Sequence, residues 1–339
     1  MKPAERIEAA IAGRAVDRIP WALWRHFPNA DQTAEGLADA VLSFQKKFAF
    51  DFVKVTPTNG LFMEAWGGKL AWRGNPEGTR DYLKRPVVQP SDWRNVVPLR
   101  MDHPLIAREV KAIRLISSAL AGRFPLFQTI FNPLAIAKNL AGDVMLMKHL
   151  RDAPDDLENA LEVINKTTLS FARECLDAGA DSIFFATNTA NPAFLTKKEY
   201  KSYGVPYDLY LLSELKPQSR FVLLHIHGEK PYFDLFTDYP ADIWNWHDRR
   251  TAPPLKYGLA RIIAARATEP RTPTSRAACV LGGLDEWDTL LKGPESAIAA
   301  EVQDAISQTS GTRFILGAGC VVPITTPDFH LRTAHKRLG

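Results

Sequence analysis

Short runs of nearly continuous apolar residues alternate along the chain with longer segments whose apolar positions recur every three or four residues. Runs of the first kind read as strands buried on both faces, and segments of the second as helices with one apolar stripe. Residues 3–13 predict a helix, and Asp17-Arg18-Ile19-Pro20 leads into Trp21-Ala22-Leu23-Trp24, a predicted first strand ending at Arg25 and His26. Leu37, Ala40, Val41 and Phe44 share helical spacing within about 33–47, before the β-rich run Phe52-Val53-Lys54-Val55-Thr56. Residues 67–103 interrupt the rhythm with the turn former Asn75-Pro76-Glu77-Gly78 and proline-bearing loops, so an inserted cap is expected there.

From residue 104 the alternation is regular. Helices are predicted over 104–120, 133–149 and 154–178, between 196 and 215, near 232–238, over 254–267 and 294–306, and from Pro327 onward. Pro154 with Asp155 and Asp156 is a strong helix start, because proline suits the first turn and carboxylates suit the positive end of the dipole. Strands are predicted at 124–130, 182–187, 220–227, 242–247, 278–281 and 313–317, and the proline-rich stretch 268–275 reads as a surface loop. With the runs at 21–24 and 52–56 these make eight strands alternating with helices. The expected fold class is α/β, a (β/α)8 TIM barrel with an N-terminal helix and an inserted cap segment. An open doubly wound sheet is the alternative, but no glycine-rich phosphate-binding fingerprint follows any strand.

The length of 339 residues fits one barrel domain with additions, since barrels of ~250 residues or more are single domains. Apolar residues make up 46% of the chain and charged residues 24%, which suits a globular protein and leaves no run of ~18 apolar residues to span a membrane. Residues 1–13 carry Glu5 and Glu8 within an amphipathic pattern instead of a signal peptide, so a cytoplasmic location is expected. Cys175, Cys279 and Cys320 are odd in number and widely spaced, which does not fit a disulfide framework and leaves any special cysteine a chemical role. The net charge of +4, from 42 basic and 38 acidic residues without a basic block, argues against nucleic-acid partners and favours a small-molecule substrate.

The stretch Phe221-Val-Leu-Leu-His-Ile-His-Gly228 carries the most distinctive chemistry. Alternate residues of a strand share a face, so Leu223, His225 and His227 project together and place two imidazoles at the C-terminal strand end. In a barrel that rim carries the catalytic residues, and His247 and Cys320 are predicted to reach it too. Zinc takes imidazole and thiolate ligands, with three protein ligands and an open position in catalytic sites. His225, His227 and Cys320 fit that set, with His247 as a fourth ligand or a supporting catalytic group.

Other candidates are weaker. Arg25 and His26 end the first predicted strand, where they can meet an anionic group. Lys54 lies in an apolar strand and needs a carboxylate, such as Glu64 or Asp285, or the substrate itself. Asn132, Asn188 and Asp285 end predicted strands and are substrate-binding candidates. Trp24, Trp66, Trp244 and Trp246 suit a stacking wall, whereas His330 and His335 on the last helix are expected to be solvated.

Several motifs together resemble one family over essentially the whole chain: Asp17-Arg-Ile-Pro20, Phe52-Val-Lys-Val-Thr56, Gly179-Ala-Asp181, His225-Ile-His-Gly228, Gly282-Gly-Leu-Asp285 and Gly319-Cys-Val-Val-Pro-Ile-Thr-Thr-Pro327. They are similar to the uroporphyrinogen decarboxylase superfamily, which implies a (β/α)8 barrel. The resemblance implies either a metal-free porphyrinogen decarboxylase or a zinc methyltransferase that takes a methyl group from a corrinoid protein to a thiol. The decarboxylase branch fits poorly: its arginine-rich N-terminal signature is reduced to Trp24-Arg25-His26-Phe27-Pro28, and Thr56-Pro-Thr-Asn59 lacks the expected carboxylate. Lys138 stands where its tyrosine is expected, and Ala318 where its histidine is expected. The methyltransferase branch matches at His225, Gly228, Gly319-Cys320 and Thr326-Pro327, but His227 replaces a cysteine. The expectation is therefore a zinc-dependent methyltransferase acting on a thiol or hydroxyl, with a corrinoid donor, a corrinoid-protein partner and a homodimer as an allowed assembly. A decarboxylase-type lyase is the alternative, and a metal-dependent hydrolase or a non-catalytic binding barrel ranks below it.

Overall fold

The structure, a computed structural model, describes residues 1–267 and 277–338. Its strands are β1 (Val53–Val55), β2 (Lys69–Ala71), β3 (Asp81–Lys84), β4 (Leu126–Phe131), β5 (Ser182–Thr187), β6 (Phe221–Ile226), β7 (Ile243–Trp246), β8 (Cys279–Leu284) and β9 (Phe314–Ala318). Seven of them form one sheet in the order β1-β4-β5-β6-β7-β8-β9, each pair parallel, while β2 and β3 form a separate antiparallel hairpin. Helices connect the parallel strands, giving a curled, TIM-barrel-like α/β fold. The surface-loop expectation at 268–275 lies outside the described residues. No helix among the described residues is long and apolar enough to cross a membrane.

The expected first strand at 21–24 is reduced to a single parallel bridge between Trp21 and Leu316 of β9. Trp21 donates its backbone N–H to the Asp51 carboxylate at 2.9 Å instead of to a strand carbonyl. Its carbonyl accepts the Asp51 N–H, also at 2.9 Å, just ahead of β1. The segment thereby touches both edges of the sheet without a ladder of its own. Asp51 is fully buried and also binds Arg6 at 2.5 Å and Arg18 at 2.8 Å, tying the N-terminal helix Pro3–Ala12 to this junction.

Local chemistry accounts for most helix ends. Thr33 accepts from Gly36 N–H at the start of Ala34–Phe48, and Pro154, Asp155 and Asp156 open Pro154–Asp177. The helix predicted over 133–149 breaks at Gly142, whose φ of 85° interrupts it into Pro133–Ala141 and Asp143–Asp152. The helix predicted near 232–238 is only a short 3-10 turn at Phe233–Leu235, because the Phe236 carbonyl accepts from Trp244 Nε1 at 2.8 Å.

Trp244 and Trp246 are fully buried packing residues, not a stacking wall for a ligand. Alternation along β7 turns them to the helix side, where Gly258 makes room for Trp246: a Cβ there would lie 2.4 Å from its ring. Trp66 donates to the Val97 carbonyl, outside the central cavity. His330 and His335 also depart from expectation. His330 is buried with Nδ1 2.8 Å from the Leu290 carbonyl, and His335 stacks on Trp21 at 4.4 Å.

Candidate metal centre

Register brings the site together. His225 of β6 pairs with Ala186 of β5 on one side and Asn245 of β7 on the other, and His227 continues past the strand with its N–H on the Thr187 carbonyl. His247 leaves the end of β7, and Cys320 follows β9. Gly319 permits the final approach, since a Cβ at that position would lie 2.9 Å from His247 Cα. Ligand atoms of His225, His227, His247 and Cys320 all lie within 4.8 Å of one another.

The spacing is that of a small coordination polyhedron. Cys320 Sγ is 3.6 Å from His225 Nε2 and 3.5 Å from His227 Nδ1, and His227 Nδ1 is 3.2 Å from His247 Nε2. A tetrahedron with zinc–nitrogen bonds of about 2.05 Å and a zinc–sulfur bond of about 2.3 Å has edges of about 3.3 Å between nitrogens and about 3.5 Å between nitrogen and sulfur. The donor set and its spacing therefore fit a zinc-sized ion.

Neighbouring groups aim two of the imidazoles. Asn245 Nδ2 donates to the carbonyls of Leu281 and Ala318, at 2.9 and 3.0 Å, so its Oδ1 faces His225 Nδ1 at 2.6 Å and must accept from it. That fixes the tautomer and leaves the His225 Nε2 lone pair toward Cys320. Buried Glu286 lies 3.1 Å from His247 Nδ1 and orients Nε2 in the same way. Glu286→Ala is expected to weaken metal binding about 10–100-fold without loss of fold, as measured by chelator competition. Unchanged affinity would remove Glu286 from the support of the site.

Without a cation the cluster holds a thiolate beside an imidazolium, and His247 gives up a proton when it becomes a donor. Burial opposes ionisation of Cys320, but the His225 and His227 imidazoles outweigh it and hold the thiol well below its ordinary range. Burial likewise disfavours the His247 imidazolium, yet hydrogen bonding and charge from Cys320 and Glu286 push its pKa up to about 10. Burial lowers His225, which keeps its imidazole neutral.

A cavity of about 750 Å³ opens onto His225, His227 and Cys320, whereas His247 lies outside its lining. Trp24, His26, Lys54 and Asn188 line the same space. Among the described residues Lys54 has no carboxylate partner: its ammonium contacts Thr56 Oγ1 at 3.1 Å and lies 4.4 Å from the Phe184 ring centre, and burial lowers its pKa to about 7. Neither Glu64 nor Asp285 meets it. His26 is buried and pushed down to about 4 by burial, with Lys54 adding to the effect, so it is a neutral imidazole. Asn188 Oδ1 is buried without a hydrogen-bond partner among the described residues.

Three other candidates fall elsewhere. Arg25 turns out of the cavity and lies over Phe44 and Phe27, at 4.6 and 5.4 Å from their ring centres. Asn132 caps the helix Pro133–Ala141 and binds buried Asp208 at 2.9 Å. Asp285 pairs with Arg250 at 2.7 Å and accepts the backbone N–H groups of Trp287 and Asp288. Asn132 and Asp285 are hydrogen-bonded within the protein, and the Arg25 guanidinium is held on aromatic rings. Asn245 and Glu286 escaped the sequence reading, although a polar residue between Trp244 and Trp246 on a buried strand is a signal in itself. Glu77, Arg73 and Lys138 also line the cavity, and proximity to the metal cluster depends on folding across long sequence separations.

The fold and site thus define a TIM-barrel-like α/β protein whose C-terminal rim gathers three imidazoles and a thiolate. The profile for uroporphyrinogen decarboxylase matches residues 2–336, and the chain belongs to that family. The methylcobamide:CoM methyltransferase MtbA of Methanosarcina mazei is 21% identical, over 97% of this chain and 95% of that protein. Uroporphyrinogen decarboxylase of Aquifex aeolicus is 32% identical, but over 53% of this chain and 49% of its own length. A solved structure of a methyltransferase from Methanosarcina mazei superposes with a TM-score of 0.84 at 19% identity, covering 99% of this chain and 98% of that one.

Proposed function

We propose that this chain is a zinc-dependent methyltransferase that activates a thiol or hydroxyl nucleophile, with a corrinoid, carried by a partner protein, as the methyl donor. The observation that carries the reading is the clustering of imidazole and thiolate donors, three of their separations at 3.2–3.6 Å and all within 4.8 Å, where His225, His227 and Cys320 line the cavity. Full-length similarity to methylcobamide:CoM methyltransferases supports the reaction class. His225, His227 and Cys320 are the ligands on the cavity side, and His247 is the fourth donor behind them, held by Glu286. When bound, zinc with one thiolate and neutral imidazoles carries a net charge of +1, which lowers the pKa of a nucleophile beside it.

The remaining residues orient the acceptor. Lys54, buried and without a carboxylate partner among the described residues, attracts an anionic atom of the incoming molecule, and Asn188 offers an acceptor to a donor group. Trp24 meets Phe184 edge to face at a ring separation of 5.2 Å and supplies an apolar wall. His26 contributes a neutral imidazole. Residues 67–103 serve as the cap of a single barrel domain, because their hairpin supplies Arg73, Glu77 and Tyr82 to the cavity. Zinc-loaded protein is expected to transfer methyl groups from methylcobalamin to at least one member of a panel of thiols and phenols. Failure across that panel at stoichiometric zinc would overturn the assignment.

A further inference from the structure

Among the carboxylates lining the cavity, Glu77 stands apart. Asp81 and Asp143 are exposed at its outer edge, and Asp81 lies 3.9 Å from Arg73. Glu77 is partly buried, and its carboxylate makes no hydrogen bond or ion pair among the described residues. Its backbone N–H is held by Asn75 Oδ1 at 2.9 Å, within the turn that joins β2 to β3.

That turn is fastened to the loop that follows Cys320 and to the segment that carries His26. The Pro76 carbonyl accepts the Ile324 N–H at 2.8 Å, from the loop just beyond Cys320. Gly78, with φ of 83°, sits so close to His26 and Ile324 that a Cβ would lie 2.6 and 2.9 Å from their side chains. Two residues on, Arg80 forms a buried ion pair with Asp31 at 2.5 Å and donates to the Pro28 carbonyl at 2.7 Å. A carboxylate on a turn anchored at three points keeps its place relative to Cys320, although it belongs to a separate hairpin.

The groups facing it come from every side of the rim. Cys320 follows β9, His227 follows β6, His247 follows β7 and Glu286 follows β8, while Lys54 of β1, His26 and Arg73 line the same cavity. Burial first, and then the negative charge of Cys320, raise the proton affinity of Glu77, with His227 opposing. Arg80 does not compensate it, being neutralised by Asp31.

We propose that Glu77 accepts the proton that a thiol gives up on entering the cavity beside Cys320. The S–H bond breaks, its electron pair stays on sulfur, and an O–H bond forms on the Glu77 carboxylate. This role rests on the proposed activation of a nucleophile at the metal, and it assigns the cap hairpin a direct part in the chemistry.

Zinc-loaded wild type, Glu77→Gln and Lys54→Met would be titrated with 2-mercaptoethanol by calorimetry, at pH 6 to 8, in buffers of different ionisation enthalpy. Wild type is expected to release almost no protons to the buffer and to bind with nearly constant affinity across this range; Lys54→Met should bind more weakly, for want of the ammonium, and likewise release almost none. Glu77→Gln should retain stoichiometric zinc, release about one proton per thiol bound, and gain affinity about tenfold per pH unit. Equal proton release by wild type and Glu77→Gln would overturn the role while leaving the methyltransferase reading intact. Proton release appearing only in Lys54→Met would assign the proton to Lys54. Loss of zinc from Glu77→Gln would instead make Glu77 a support of the metal, and absence of thiol binding by wild type would remove both readings.

Discussion

Cys320→Ala is expected to abolish stoichiometric zinc binding and to reduce methyl transfer by at least about 100-fold, more than the loss expected from removing a supporting group such as Glu286. The thiolate is the only anionic donor among the four clustered residues, and its Sγ lies within 3.6 Å of both His225 and His227. Replacing it leaves only imidazoles, which offer lone pairs but no negative charge to neutralise the cation. Metal content by mass spectrometry after dialysis against a chelator reads the effect directly. Cys279→Ala is the matched control: that thiol is fully buried away from the site, burial pushes its pKa far up, and zinc should be unaffected. Stoichiometric zinc in the Cys320 variant would withdraw the cysteine from the ligand set.

Asp51→Ala is expected to destabilise the fold by about 3–5 kcal/mol, the range for breaking a buried charge network by removing one member. Asp51 is fully buried and balances two guanidiniums, Arg6 and Arg18, while accepting the Trp21 N–H. Its loss leaves Arg6, itself largely buried, without one of its two carboxylate partners; Asp17 remains, at 2.7 Å. It also frees the segment that bridges β1 and β9, from which Trp24 and His26 reach the cavity. Urea denaturation of wild type and variant, compared at the same slope, measures the difference. A change below about 1 kcal/mol would show that the junction is held by backbone pairing and packing alone.

The parallel strands were legible because each is buried on both sides and therefore written as a continuous apolar run, as at Phe221–Ile226 and Phe314–Ala318. Trp21–Trp24 has the same composition but lacks a ladder, and nothing in its residues announces that an aspartate thirty positions later will take its N–H. The candidate metal ligands were legible for a related reason. Imidazoles at alternate positions of a strand must share a face, and strand ends in such a fold converge on one rim. Arg25, Asn132 and Asp285 are also polar residues near strand ends, yet aromatic rings, a helix cap and Arg250 engage them away from the cavity.

The sequence by itself determined the alternation of strands and helices, the family and the identity of His225, His227 and Cys320 as ligand candidates, since periodicity and residue chemistry are local properties. Only the tertiary structure decided that His247 joins their cluster, that Asn245 fixes the tautomer of His225 and Glu286 holds the ring of His247, and that the hairpin turn brings Glu77 to the same cavity. Those relations depend on strand register and on contacts between residues tens to hundreds of positions apart, which no local pattern encodes.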